Sequence, residues 1–255
     1  YKDIVISGGT IDRITVPMLT VRFSLRSLCA FTASDVLVDQ AAVVLQSGTI
    51  RAQGVSCRFD PLTQKGDLRV SQCTLGKVDL TDCRGDFYLD SGNVVLHDAE
   101  TRVLGGKAYV RALFTLERIV SYSVRGEVAG ISLQDVERAF ELSEKVHLEG
   151  ALSGTFIVDG IGQRIVGLTG DIKSLQPGGV IALHDDTMIR NIAAASKQPV
   201  EIIAEGFRDY RYAFATVTMR TETMNIIVHV LTNGSAGKRD LTIILHGAPP
   251  GKVGL

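Results

Sequence analysis

The stretch "VLGGKAYVRALF", Val103 to Phe114, decides how this chain folds, because its glycine pair permits two interpretations. A phosphate-binding loop places such glycines before a helix, whose free N–H groups attract the anion. After Gly105-Gly106, however, Ala108, Val110, Ala112 and Phe114 alternate with Tyr109, Arg111 and Leu113. Alternation with a period of two predicts a strand, so the glycines are predicted to form a turn between strands rather than a nucleotide site.

The same alternation runs through most of the chain. Segments rich in β-branched and aromatic residues are bounded by Gly, Asn or Asp, as is typical of strands. Examples are "DIVIS" (3–7), "DVLVDQAAVVL" (35–45), "DLRVSQCTL" (67–75), "SYSVRGEVAG" (121–130), "TFIVDG" (155–160), "YAFATVTMR" (212–220), "MNIIVHVL" (224–231) and "DLTIILHG" (240–247). The sequence therefore predicts a mainly β fold with a largely antiparallel, twisted sheet.

Two or three short helices interrupt the strands. "SLQDVERAFELSEK", Ser132 to Lys145, has apolar residues at helical spacing and a capping pattern at Ser132 and Asp135. We expect this helix to pack on the sheet through Leu133, Val136 and Phe140. "DDTMIRNIAAASK" (185–197) begins with acidic residues that favour a helix N-terminus, and "PVEIIAEGF" (199–207) is predicted to be a short helix opened by its proline.

Composition excludes several classes of protein. The 255 residues carry a net charge of -1, which gives no support for nucleic-acid binding, because phosphate recognition needs a concentrated basic surface. No apolar run approaches the ~20 residues that span a bilayer. The first residue is Tyr1, and we interpret the chain as a fragment of a longer protein, so that an anchor could lie outside it.

The four cysteines, Cys29, Cys57, Cys73 and Cys83, are too widely spaced for a CxxC redox or zinc motif. Their even number permits two disulfides in an oxidising compartment, and free buried thiols are the alternative. Cys57 and Cys73 flank a segment with turn signals, so opposed strands could bring the two sulfur atoms together.

No arrangement of residues predicts catalysis. His97, His147, His229 and His246 occur singly, without metal-ligand spacing, and no nucleophile elbow is present. His184-Asp185-Asp186 could be imagined as a metal cluster, but adjacent ligands at a helix start rarely converge, and a helix cap is the simpler interpretation. The sequence predicts no enzymatic activity, no metal site and no cofactor.

The middle of the chain resembles the AsmA-like family of bacterial envelope proteins. The resemblance rests on the order of three segments. These are a strand ending in Gly105-Gly106 before a long strand, a strand closing on "AGISL" (129–133) before a short helix, and "LEGALSG" (148–154). The last part, from "GGVIAL" (178–183) through "FRDYRY" (207–212) to "LHGAPPG" (245–251), is similar to the C-terminal region of the YdbH-type branch.

The resemblance implies a long sheet forming an open groove that carries phospholipid between membranes. It implies an N-terminal repeated-strand segment over 1–74 and an AsmA-like, YdbH-like region over 75–255, which we expect to form one continuous structural unit. It further implies periplasmic localisation, attachment to the inner membrane through the outside anchor, and a contribution to outer-membrane integrity, and it leaves room for an outer-membrane lipoprotein as partner. Candidate lipid-binding residues are the apolar strand positions Val110, Phe114, Val124, Val128, Phe156, Val158, Ile226, Val228, Ile243 and Leu245.

A structural or adhesive β-protein with a closed core and no ligand is the competing hypothesis. The two differ in where the apolar strand faces go, because a groove leaves them open and a closed core buries them. An envelope enzyme is a third hypothesis, without any convergent polar residues to support it. The sequence does not decide which apolar positions lie under helices.

Overall fold

The structure is a computed structural model that describes residues 2–8, 11–24, 33–45, 50–115, 119–162, 164–196, 198–222, 225–234 and 237–246. It confirms the mainly β prediction. The described strands form one antiparallel sheet of 16 strands that does not close, and three short helices accompany it. Among these helices, none has the length and apolar character needed to cross a bilayer.

The strands follow the predicted alternation, and most of them are 10 to 13 residues long. Their bounds are β1 Lys2–Gly8, β2 Ile11–Arg22, β3 Asp35–Leu45, β4 Ile50–Asp60, β5 Lys65–Leu75, β6 Val78–Asp90, β7 Asn93–Val103, β8 Gly106–Thr115, β9 Ser121–Ser132, β10 Val146–Glu149, β11 Ala151–Ile161, β12 Arg164–Ser174, β13 Gly179–Leu183, β14 Tyr210–Glu222, β15 Asn225–Gly234 and β16 Gly237–His246.

Sequence neighbours pair from β1 to β9, after which the order becomes β11, β12, β14, β13, β10. The long strand β14 pairs with β12 and β13 along one edge and with β15 along the other, and β16 follows β15. Two compact units divide the chain, unit 1 from Tyr1 to Gly126 and unit 2 from Glu127 to Leu255.

The opening stretch forms the predicted turn between strands, at Leu104 and Gly105, and Gly106 begins β8. Val103 pairs with Gly106 and closes the β7–β8 hairpin, and Leu104 and Gly105 both have positive φ angles, 46° and 75°. Only glycine adopts this backbone conformation without strain. The chain continues into β8 rather than into a helix, so the nucleotide interpretation fails on geometry.

Unit 2 contains the helical layer and a compact core cluster. Helices α2 (Asp186–Ser196) and α3 (Val200–Gly206) contribute buried Ile189 and Ile203. These pack with Phe207 and with Tyr210 and Tyr212 of β14. Two of these aromatic side chains, Phe207 and Tyr210, are the largest that the described structure buries fully.

Helix α1 (Leu133–Ala139) is shorter than predicted. Ser132 caps it as expected, accepting a hydrogen bond from the Asp135 N–H at 3.2 Å. The predicted continuation to Lys145 is wrong because Glu141 has φ 56°, which ends the helix. Packing through Phe140 is also wrong, since this residue lies past the last helical turn and is 43% exposed.

Helices α2 and α3 agree with the predictions. Asp185 caps α2 by accepting a hydrogen bond from the Met188 N–H at 2.7 Å, which satisfies one of the free donors at the helix start. Pro199 immediately precedes α3, where its missing N–H costs nothing. The cap interpretation of the 184–186 segment therefore holds.

Candidate functional site

One side of the unit 1 sheet is a continuous apolar surface, called the apolar face below. Cross-strand pairing aligns apolar residues of six strands, β3 to β8, into rows. One row runs through Val36, Phe59, Gly66, Phe87, Leu96 and Ala112, and the next through Val38, Cys57, Leu68, Gly85, Ala99 and Val110.

Two glycines shape this surface. The rings of Phe59 and Phe87 stack at a centroid distance of 5.9 Å, and Gly66 lies between them in the row. A Cβ atom on Gly66 would stand 2.5 Å from the Phe87 ring, so glycine is required for the two rings to meet. At Gly85 a Cβ atom would meet the Ala99 Cβ at 2.8 Å. Small residues thus form a depression in the second row.

That depression is a shallow apolar pocket of about 170 Å³. Leu68, Leu80, Leu96 and Val110 form its walls, with Gly85 and Ala99 as its floor. Beside it, the Thr101 hydroxyl donates to the Thr81 carbonyl at 3.0 Å and lies 3.1 Å from the Cys83 sulfur. The polar atoms nearest the pocket are therefore already partnered within the protein.

No helix or second sheet packs on the apolar face in the described part of unit 1. Each strand there makes its substantial contacts with its hydrogen-bonded neighbours only. The large aliphatic side chains stay half-buried, and the fully buried apolar residues of the unit are Val16 and the alanines 41, 108 and 112. A closed core would bury Leu and Phe side chains, so unit 1 has the arrangement of a single open layer.

The opposite face of unit 1 is polar and rich in ion pairs. Glu100 accepts hydrogen bonds from Arg84 at 2.6 Å and Lys107 at 3.1 Å, and these two donors lower the pKa of its carboxyl group. The same contact raises the pKa of the Arg84 guanidinium. Arg102 pairs with Asp82 at 3.3 Å. In the described strands β6 to β8, these ion pairs therefore lie on the face opposite the apolar rows.

Three of the candidate residues, Val110, Phe114 and Val124, belong to unit 1. Val110 pairs with Ala99 and Phe114 with Val94, and both are half-buried on the apolar face. Val124 is half-buried in the alternating pattern of β9. Sequence reasoning missed most of the face, notably Leu68, Phe87 and Leu96. The alternation of apolar residues in β5, β6 and β7 could have identified these positions, but the candidates were taken from β8 and later strands.

In unit 2 the register gathers the candidates into two rows, while Val128 is half-buried in β9. One row contains Phe156, Gly170, Met219, Val228 and Ile243, and the other Val158, Leu168, Thr221, Ile226 and Leu245. None of the candidates whose side chains are described belongs to the core cluster under α2 and α3, and all are half-buried. The side chains of Ile243 and Leu245 lie outside the described part, so only their backbone register is given.

The suggested pairing of Cys57 with Cys73 is wrong. Cys57 lies opposite Leu68, and Cys73 opposite Ala52, so the two are offset by five residues along β5. At ~3.3 Å per residue this separates them by roughly 16 Å, well beyond disulfide reach. Cys57, Cys73 and Cys83 are free thiols, and burial raises the pKa of Cys57 and of Cys73. Cys29 lies outside the described residues.

Polar chemistry is sparse across the described ranges. They contain no group of three or more His, Cys, Asp or Glu side chains suited to hold a metal ion. One polar cluster is centred on His147, whose Nδ1 lies 3.3 Å from Glu137 and whose Nε2 lies 3.1 Å from Glu149. Glu137 also accepts from the Leu148 N–H at 2.7 Å, which ties α1 to β10.

Comparison with known proteins gives no significant match to a family model, a curated protein or a solved structure. The geometry of the chain is therefore the basis for a functional proposal. Its dominant feature is the apolar face of unit 1, which no other element in the described part of that unit covers.

Proposed function

We propose that this chain binds phospholipid on the apolar face of unit 1 and passes it along that face between membranes. The observation that carries the proposal is a row-by-row apolar surface across β3 to β8, on which no other element of the described part of unit 1 packs. Exposed apolar patches of this kind are uncommon on monomers and mark sites for apolar ligands or partners.

The energetics favour a lipid ligand. Moving acyl chains from a membrane into water costs about 0.8 kcal/mol per methylene, so a two-chain lipid needs a large apolar surface to offset the transfer. The rows of the apolar face supply such a surface, and their small residues at Gly85 and Ala99 leave space beside Leu68 and Leu96. The charged headgroup can remain in water because nothing encloses the face.

The resemblance to the AsmA-like family is consistent with this proposal and extends it. On that basis the chain is a part of a periplasmic protein anchored to the inner membrane, with an outer-membrane lipoprotein as a candidate partner. The proposal assigns no catalytic residue, because acyl-chain binding needs apolar area and no bond is made or broken.

Photo-crosslinking at adjacent positions of β8 tests the proposal. Val110 lies on the apolar face, and its neighbour Tyr109, 46% exposed, lies on the polar face. A photoreactive residue at position 110 should capture phospholipid in bacterial cells, whereas one at position 109 should not. Capture of protein alone at position 110 would favour the structural β-protein.

A charge on the apolar face should separate binding from folding. We expect Val110→Glu to reduce phospholipid binding about tenfold or more, because acyl chains would have to desolvate a carboxylate. The thermal unfolding midpoint should change little, since the side chain lies in an uncovered layer. Tyr109→Glu is the matched control and should bind lipid normally. Unfolding of Val110→Glu with retained lipid binding by the folded fraction would refute the assignment.

A further inference from the structure

The hairpin between β11 and β12 of unit 2 ends in an apolar tip, defined here as residues 160–162 and 164–166. Ile161 and Ile165 are each 50% exposed and Val166 is 46% exposed. The hairpin ladder closes at the pair Ile161 and Arg164. Three half-exposed aliphatic side chains at a strand connection are unusual, because turns usually contain polar residues, glycine or proline.

The tip is apolar on both faces of its ribbon. Gly160 pairs with Ile165, and Ile161 pairs with Arg164. Since consecutive pairs of a ladder point to opposite faces, the side chains of Ile161 and Ile165 project in opposite directions. A protein partner docking on one face would leave the other in water. An apolar medium that surrounds the tip covers both faces.

Charge at the tip is positive. Arg164 is exposed, and no ion pair within the described residues involves it. The tip itself contains no carboxylate, and the nearest acidic residue of the hairpin is Asp159, which pairs with Gly167 farther down the ladder. A long cationic side chain beside aliphatic ones can reach the phosphate level while its neighbours enter the acyl region.

The backbone geometry suits shallow insertion. The N–H and C=O groups that face inward between β11 and β12 are paired up to the closing pair, apart from a register shift next to Gly160. The groups that face outward at the tip require water or headgroup partners, which the membrane interface provides. Insertion to the depth of the aliphatic side chains therefore buries apolar surface without deep burial of free backbone groups.

We propose that this hairpin tip docks the protein on the surface of an anionic phospholipid bilayer. Ile161, Ile165 and Val166 enter the interface, and Arg164 contacts lipid phosphate. This inference rests on the tip alone and not on lipid carriage by unit 1, because bilayer docking and lipid extraction use different residues.

A single tryptophan provides a direct measurement. The chain has no tryptophan, so Ile165→Trp places the only one at the tip. With vesicles of equal parts phosphatidylcholine and phosphatidylglycerol, its emission should shift to the blue, and brominated acyl chains should quench it. Ile202→Trp on α3, where the native side chain is 52% exposed, is the control and should show neither effect. The absence of a shift at position 165 would overturn the proposal.

Vesicle sedimentation provides the second measurement. The Ile161→Ser, Ile165→Ser double variant should lower the vesicle partition coefficient by about tenfold or more. Arg164→Gln should reduce binding about fivefold on the anionic vesicles and leave binding to pure phosphatidylcholine unchanged. Unchanged partition of the double variant, with intact folding by circular dichroism, would overturn docking. The Val110→Glu variant should still dock, which separates this test from the failure of lipid carriage.

Discussion

Two phenylalanines in equivalent helical positions have opposite environments. Phe140 caps the C-terminus of α1 and is 43% exposed, whereas Phe207 caps the C-terminus of α3 and is 2% exposed. The ring of Phe207 packs against Tyr210 at a centroid distance of 5.7 Å and lies under the Arg239 guanidinium. Sequence spacing favoured Phe140 as a core residue, because the apolar period continues through it; the turn at Glu141 removes it from the helix.

This contrast gives a stability prediction. We expect Phe207→Ala to lower the free energy of unfolding by about 3–5 kcal/mol, as for other buried aromatic residues. Phe140→Ala should change it by no more than about 0.5 kcal/mol, as is usual for surface positions. Urea denaturation of both variants measures the difference. Equal losses for the two substitutions would contradict the assigned environments.

His147 gives a pH-dependent contact between α1 and β10. Its hydrogen bond to Glu149 and its proximity to Glu137 raise the pKa of the imidazole, and the Leu148 N–H lowers the pKa of Glu137. Because the folded pKa of His147 is raised, its protonated form stabilises the fold at pH values below the unfolded pKa near 6.5. This stabilisation is lost as the pH rises through the folded pKa. Because the pKa of Glu137 is lowered, its carboxylate stabilises the fold at pH values above the ordinary glutamate pKa, and this stabilisation is lost as the pH falls through the folded pKa.

Unfolding experiments across pH can separate the two groups. His147→Gln should remove the decline in stability between mildly acidic and neutral pH, and Glu137→Gln should remove part of the decline at lower pH. The effects should be small, because the histidine side chain is 42% exposed and surface ion pairs contribute little. The prediction would be contradicted if the wild-type unfolding midpoint rose from mildly acidic to neutral pH and the His147→Gln substitution removed that rise.

At the scale of elements, the β4–β5 hairpin shows that alternation alone does not determine the register of two paired strands. Asp60 accepts hydrogen bonds from the Leu62 N–H at 2.8 Å and the Thr63 hydroxyl at 2.9 Å, which fixes the turn at Pro61 to Gln64. The ladder then closes at Asp60 and Lys65, so the partner of Cys57 is Leu68. Strand identity follows from period-two patterning, whereas register depends on which of several turn signals closes the hairpin.

An engineered disulfide tests this register. Leu68→Cys places a thiol directly opposite Cys57, where Cα atoms of an antiparallel pair lie within bridging distance. Aerobic oxidation should join positions 57 and 68, as peptide mapping under non-reducing conditions would show. In the parent protein, Cys57 and Cys73 should remain alkylatable after unfolding without reductant. A native bond between positions 57 and 73 would mean that the hairpin has another register.

At the scale of the whole chain, the two units differ in how they bury apolar residues. Unit 2 has a core cluster beneath helices, whereas unit 1 relies on contacts between neighbouring strands. Alternation in the sequence predicted the antiparallel sheet and its apolar positions, whereas the open form was implied only by the family resemblance, with a closed core as the alternative. The sequence could not show which rows escape the helices, because periodicity predicts that a helix forms but not the strand on which it packs.

Lipid should therefore protect the two units unequally. A ligand that binds only the folded state stabilises the region it contacts. We expect phospholipid to slow amide hydrogen exchange in β5 to β8, with little change in β14, where the core cluster already protects the backbone. Mass spectrometry of deuterated peptides with and without lipid measures this. Protection confined to unit 2 would place the ligand elsewhere.

The neighbour-to-neighbour pairing of β2 to β8 also bears on how such a sheet changes length. Because each hairpin touches only the strands beside it, a hairpin can be duplicated or lost without repacking distant parts. Each duplication lengthens the sheet by two strand spacings, about 10 Å, and preserves which face is apolar, since strands are added in pairs. The width of such a sheet therefore changes in steps of one hairpin, and natural selection could adjust the distance that the sheet spans without changing the residues of the apolar face.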